Sequence, residues 1–255
     1  MHIRLVRHAT LIVEYGGHML LVDPMLDDAG ARPAVQNSPN PRNNPLVPLP
    51  ESAMNILHGM EAVLVTHTHS DHWDVAAAKF IPKDLPLFGQ PEDEQKFQLS
   101  GFTVVQSVEK SLTWNGIEIT RTAGQHGTRE IAKKMAPVSG FVLKAQGEPT
   151  IYIAGDTIWC RDVKTALRTH QPKVAVVNAG AARFLQGDPI TMTTENVIEV
   201  CLTEPAMQVI AVHMESINHC GLTRADLAAK LKAAGITGQV EIPQDGEWMK
   251  FELSR

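Results

Sequence analysis

Residues 66–74 read T-H-T-H-S-D-H-W-D, so His67, His69, Asp71 and His72 fall within six residues, directly after the apolar run Ala62-Val63-Leu64-Val65. Four candidate metal ligands thus leave a strand end together. Imidazole and carboxylate suit zinc and its first-row neighbours, and a strand-to-helix loop can turn several of them toward one point. The chain has 11 histidines, so some clustering on a solvated turn is expected by chance. Chance does not explain the strand before the cluster, the helix-like segment Asp71 to Phe80 after it, or the isolated His and Asp at later strand ends.

Outward from this loop, the chain reads as alternating blocks. Residues 3–6 and 11–14 form a strand pair, and Gly16-Gly17 turns the chain into a third strand, 18–22, that ends at Asp23-Pro24. From Met25 to Ser52 the pattern stops, because Pro33, Pro39, Pro41, Pro45, Pro48 and Pro50 alternate with Asn37, Asn40, Asn43 and Asn44. Such a stretch holds neither a helix nor a central strand, and with strands on both sides it reads as a lid-like loop over residues 25–52. Further strands are expected at 85–88, 102–106, 111–114, 116–122, 138–144 and 150–154, with a helix at 92–99. The second half alternates helices 161–169, 193–202 and 223–234 with strands 173–178 and 207–212, closing on strands near 239–242 and 247–253. This mixture implies one domain over residues 1–255, an α+β fold with two sheets packed face to face between helices, a four-layer αββα sandwich. A doubly wound parallel sheet is the alternative, disfavoured because 100–155 is almost all hairpin-like strand.

At 255 residues and 44% apolar content the chain can bury a sizeable core. A formal charge of −5 without a long Lys/Arg run gives no electrostatic footprint for a nucleic acid. Cys160, Cys201 and Cys220 lie in no C-x-x-C pair and read as reduced thiols, which together with the charged start M-H-I-R-L-V-R-H implies a cytoplasmic protein without a signal segment. No run of apolar residues is long enough for a membrane span.

Three later positions close apolar strands: His126 in T-A-G-Q-H-G-T, Asp156 in I-Y-I-A-G-D-T and His213 in V-I-A-V-H-M-E. The H-x-H-x-D-H motif followed by these three resembles the metallo-β-lactamase-fold hydrolases over nearly the whole chain. The opening H-A-T-L-I-V-E-Y and the D-P after the third strand are most similar to the L-ascorbate-6-phosphate lactonase-like and N-acyl-phosphatidylethanolamine phospholipase D-like branch. The resemblance implies two divalent metal ions about 3.5–4 Å apart, zinc by default with manganese or iron accepted by the same ligands. It implies one ion at His67, His69 and His126, a second at Asp71, His72 and His213, and Asp156 between them. A lone His is normally a satisfied core residue; at His126 and His213 the complete ligand set favours the metal.

The implied reaction is hydrolysis of a small lactone, ester or phosphodiester by a metal-bridged hydroxide, with Asp71 or His219 returning a proton to the leaving group. His8 is expected near the site as a substrate contact or ligand support, Asn178 and Arg224 as substrate contacts, and Glu215 nearby without a derived role. Asp23 either orients a ligand histidine or caps its turn, Asp74 caps the following helix, and Thr223 caps the helix that Arg224 opens. The partner is a small molecule, and a homo-oligomer is compatible with the sequence. Rival readings are a thioesterase or nuclease of the same fold, a di-iron redox protein, and a non-catalytic binding protein.

Overall fold

The computed structural model describes residues 1–252. Among them, β1 (His2–Arg7), β2 (Thr10–Tyr15), β3 (His18–Val22), β4 (Ala62–Val65), β5 (Leu87–Gly89) and β6 (Val105–Ser107) follow one another across one sheet. The second sheet runs from β7 (Ser111–Trp114) through β8 (Ile117–Ala123), β9 (Ser139–Lys144), β10 (Ile151–Ile153), β11 (Val174–Asn178) and β12 (Gln208–Val212) to β13 (Val240–Glu241). The last strand, β14 (Trp248–Lys250), returns to the first sheet and pairs antiparallel with β1. Each sheet is antiparallel at first and parallel from β3 or β10 onward.

The parallel pairs need crossovers, and helices supply them: α1 (Ala53–Leu57), α2 (Val75–Phe80) and α3 (Glu94–Leu99) for the first sheet, α5 (Arg161–His170), α6 (Thr194–Thr203) and α7 (Arg224–Ala233) for the second. The remaining helix, α4 (Arg129–Met135), lies between β8 and β9. Strand alternation decides the layers. Leu11, Val13, Leu20, Val22 and Leu64 meet Ile119, Phe141, Ile153, Val176 and Val212 in a core between the sheets. The intervening residues Ile12, Leu21, Val63 and Val65 pack outward with α1, α2 and Phe97 of α3, while Ala175, Val177, Val209 and Ala211 pack outward on α5, α6 and α7. The result is the αββα sandwich, and the antiparallel runs rule out the doubly wound sheet.

Gly16 and Gly17 turn between β2 and β3 with φ of +59° and +82°, values a two-residue hairpin of this hand requires. The loop 25–52 is tied down at both ends. The buried guanidinium of Arg7 donates to the carbonyls of Met25, Asp27 and Val47, at 2.9, 2.8 and 3.0 Å. Asn218 accepts from Val35 N at 2.9 Å and from Asn44 Nδ2 at 2.7 Å, joining the loop to the chain just beyond His213. Among the described residues, no helix is long and apolar enough to cross a membrane, and the three cysteines are free.

Several boundaries differ from expectation. The helix expected from Asp71 starts at Val75, because Asp74 is extended (φ −103°, ψ 177°) and caps Ala77 N. The strand expected at 102–106 lies at Val105–Ser107, since Phe102 packs under the first sheet instead. Helices α1 and α4 are additional to the expected elements. Of the expected final strand, residue 253 falls outside the described residues.

Candidate metal centre

The crossover architecture brings the C-terminal ends of β3, β4, β10, β11 and β12 to one edge, the position where α/β sheets present ligand-binding groups. All seven expected metal ligands converge there. His67, His69, His126 and Asp156 form one group, and Asp71, His72 and His213 form a second together with His8; within each, the ligand atoms lie within 4.8 Å of one another. Asp156 spans both: Oδ2 is 3.3 Å from His126 Nε2 and 3.3 Å from His72 Nε2, and Oδ1 is 3.3 Å from His213 Nε2. His69 Nδ1 lies 2.9 Å from His67 Nε2, so two ring nitrogens face one point.

The donor chemistry fits cations. Nε2 of His72 and Nε2 of His213 are buried with no hydrogen-bond partner, whereas their Nδ1 atoms are engaged, by Asp23 Oδ2 at 2.8 Å and Cys220 Sγ at 3.5 Å. His126 Nδ1 donates to Ile190 O at 2.8 Å, and His67 Nδ1 lies 3.0 Å from Thr66 Oγ1. A ring held through one nitrogen with the other bare is the pattern of a metal-ligating histidine. Burial works against charge at His72 and His213, yet the surrounding Asp156, Asp23 and Asp71 push His72 well above the usual histidine range and Asp156 leads in raising His213 to about 10. Burial likewise works against ionised Asp71 and Asp156, but the imidazoles hold both carboxyls well below their usual range. Protons here stand where cations would satisfy the same negative field.

The other expected residues divide. Asp23 is the support anticipated for a ligand, and it serves both groups: Oδ2 meets His72 and also accepts from Thr66 Oγ1 at 2.7 Å, and Thr66 in turn faces His67. Asn178, expected at the substrate, donates Nδ2 to Asp156 Oδ1 at 2.7 Å and so orients the central carboxylate. Arg224, also expected at the substrate, is engaged by Glu215, Asp245 and the carbonyl of Pro243, and Thr223 caps its helix. Glu215 thereby has a role as the arginine's partner. His219 is 7% exposed, with Nδ1 buried and bare beside the ring of Phe184; burial lowers its pKa to about 4, so it is neutral at pH 7 rather than a stored acid.

Sequence reasoning missed two supports. Cys220 orients His213, and Gly180 lies so close to it that a Cβ there would sit 2.2 Å from His213 O. A cavity of about 580 Å³ lies under the 25–52 loop against α2, lined by Leu26, Leu49, Met54, Val75 and Phe80 and by none of the metal-ligand candidates.

Comparison with known proteins shows the family. Residues 18–214 match the family described as the beta-lactamase superfamily domain. The chain is 37% identical to the UPF0173 protein YddR of Bacillus subtilis, over 98% of this chain and 100% of that one. Crystal structures of an isothiocyanate hydrolase from Delia radicum gut bacteria (36% identity, 99% and 100% of the two chains, TM-score 0.94) and of a possible metal-dependent hydrolase from Veillonella parvula (35%, 98% and 99%, TM-score 0.95) share the fold throughout. A UPF0173 metal-dependent hydrolase of Pyrobaculum arsenaticum is 27% identical over 98% of the chain. The chain belongs to the UPF0173 family of metal-dependent hydrolases, within the β-lactamase superfamily.

Proposed function

We propose that this site hydrolyses a small neutral electrophile, with an isothiocyanate as the favoured substrate class and two divalent ions, zinc by default, held by His67, His69, His126, Asp71, His72, His213 and Asp156. The observation that carries the reading is Asp156, whose Oδ2 stands 3.3 Å from an imidazole of each group. Bound divalent ions supply Lewis acidity and bring the pKa of water toward neutrality. The chain's own residues do the rest. Asn178 and Asp23 fix the central carboxylate and two imidazoles, so little reorganisation accompanies the reaction. His219, neutral and buried against Phe184, offers a hydrogen-bonding edge beside an apolar wall.

Two observations favour a neutral substrate. Arg7, Arg32 and Arg224 each spend guanidinium donors on carbonyls or carboxylates of the chain itself, so none of these three is a prepared clamp for a phosphate or carboxylate. The isothiocyanate hydrolase with which this chain shares 36% identity points to the same substrate class. Water adds to the central carbon of R–N=C=S, one of its protons passing to the nitrogen to give the thiocarbamate. The second proton then reaches the same nitrogen as the C–N bond breaks, releasing R–NH2 and carbonyl sulfide with no oxidant or reductant required.

Lactones, esters, thioesters and phosphodiesters are the alternatives within the same chemistry, lactones being suggested by the lactonase-like sequence pattern. A panel of benzyl isothiocyanate, a small lactone, a thioester, bis-p-nitrophenyl phosphate and RNA separates them. Amine release from the isothiocyanate, lost on chelation and restored by zinc, is the expected result; turnover confined to any other member would overturn the substrate assignment.

A further inference from the structure

His8 and His213 come from opposite sheets and meet at the site. His8 follows β1 and His213 follows β12, with positive φ of 62° and 70°, and the His213 amide donates to the His8 carbonyl at 2.9 Å. Their rings lie 3.6 Å apart between centroids at 38°. His8 is fully buried, and its Nε2 lies 3.2 Å from Asp71 Oδ2. Proximity alone groups His8 with Asp71, His72 and His213 as a donor set.

Its hydrogen bonding is the reverse of a ligand's. At His72 and His213 the Nδ1 atom is engaged and Nε2 is bare. At His8 the Nε2 atom is engaged, and Nδ1 is the buried atom without a partner. A carboxylate oxygen can only accept, so the proton of this contact sits on His8 Nε2, which removes that lone pair from any cation. Ligand imidazoles almost always anchor the far N–H on an acceptor, and His8 has none for its Nδ1.

We propose that His8 is a positioning residue for the second metal group: its Nε2–H holds Asp71 Oδ2, and its ring packs on His213, so that one side chain fixes two ligands of the same ion. This rests on the two-metal reading of the site. The His8 contact acts on Asp71 and His213 and on neither His67, His69 nor His126, so its loss weakens one site selectively. Removing such a support reduces metal affinity by about 10–100-fold.

The test compares His8→Phe, which keeps a packing ring and loses the donor, with His8→Gln, whose amide keeps an N–H at the distance of Nε2. Full-length wild type and variants are titrated with zinc and with cobalt(II), and stoichiometry, affinity at each site and the cobalt absorption spectrum are read, with circular dichroism of the metal-free proteins as a fold check. Wild type is expected to take two ions per chain, His8→Phe to lose about 10–100-fold at one site only, and His8→Gln to recover to within a few-fold. Wild-type affinity at both sites in His8→Phe overturns the proposal. So does a His8→Gln protein that itself loses about 10–100-fold at one site relative to wild type, the result expected of a direct ligand, and this arm, read against wild type, stands even where the phenylalanine variant folds poorly. A wild type that binds no metal instead overturns the reading of the site itself.

Discussion

Asp23 Oδ2 lies 2.8 Å from His72 Nδ1, and the same carboxylate takes both the amide and the hydroxyl of Thr66, each at 2.7 Å. One buried side chain at the end of β3 therefore orients an imidazole of the second group directly and, through Thr66, His67 of the first. Asp23→Ala leaves three buried donors unpartnered, at about 1–3 kcal/mol each when no water replaces the acceptor. The expected outcome is a loss of several kcal/mol in denaturant unfolding together with weaker binding at both metal sites; a variant impaired at only one site would contradict the shared role.

Asn178 donates Nδ2 to Asp156 Oδ1. Asn178→Ala should cut metal affinity and activity together by about 10–100-fold at unchanged KM for the surviving metal-loaded fraction. Asn178→Asp places a second carboxylate against Asp156 and should be the more harmful of the two without metal, measurable as a lower melting temperature in chelator.

Arg224 is a structural tie. Its guanidinium joins the start of α7 to Glu215 and Asp245 in a mostly buried setting, so Arg224→Ala should cost about 2 kcal/mol or more of stability. KM is expected to stay within about twofold, since no substrate contact is lost; a large KM increase at wild-type stability would restore the substrate-binding role.

Burial lowers the His219 pKa from its ordinary value to about 4 in the metal-free protein. The folded state therefore resists a proton that the unfolded chain accepts, and this contribution is present above pH 6.5 and lost as pH falls toward 4. His219→Gln removes that term, so its stability should depend less steeply on pH between 6.5 and 4 than the wild type's. Chemical denaturation of the metal-free proteins at several pH values reads the difference, and parallel curves would count against it.

Much of this architecture is legible in residue patterns. Strand alternation separates the inner core from the two outer ones, and the H-x-H-x-D-H loop with three strand-end residues marks all seven candidate ligands. Helix α4 escaped because it buries no residue and so shows no apolar stripe, and α1 because only Ile56 and Leu57 of its five residues are buried. Asn178 and His8 are expected at the site from the sequence, His8 as substrate contact or ligand support, but the partners they hold are not legible there for another reason. Asn178 meets Asp156 across 22 positions and His8 meets Asp71 across 63, and nothing local in either segment names a partner brought by sheet packing.

The direct measurement of the central claim is the metal content of His69→Ala beside the wild type, read by elemental analysis with amine release from benzyl isothiocyanate. Two ions per chain in the wild type, and loss of metal from the group of His67, His126 and Asp156 together with activity in a still-folded variant, are the expected result. Full turnover by His69→Ala, or by wild type stripped of metal, would contradict it.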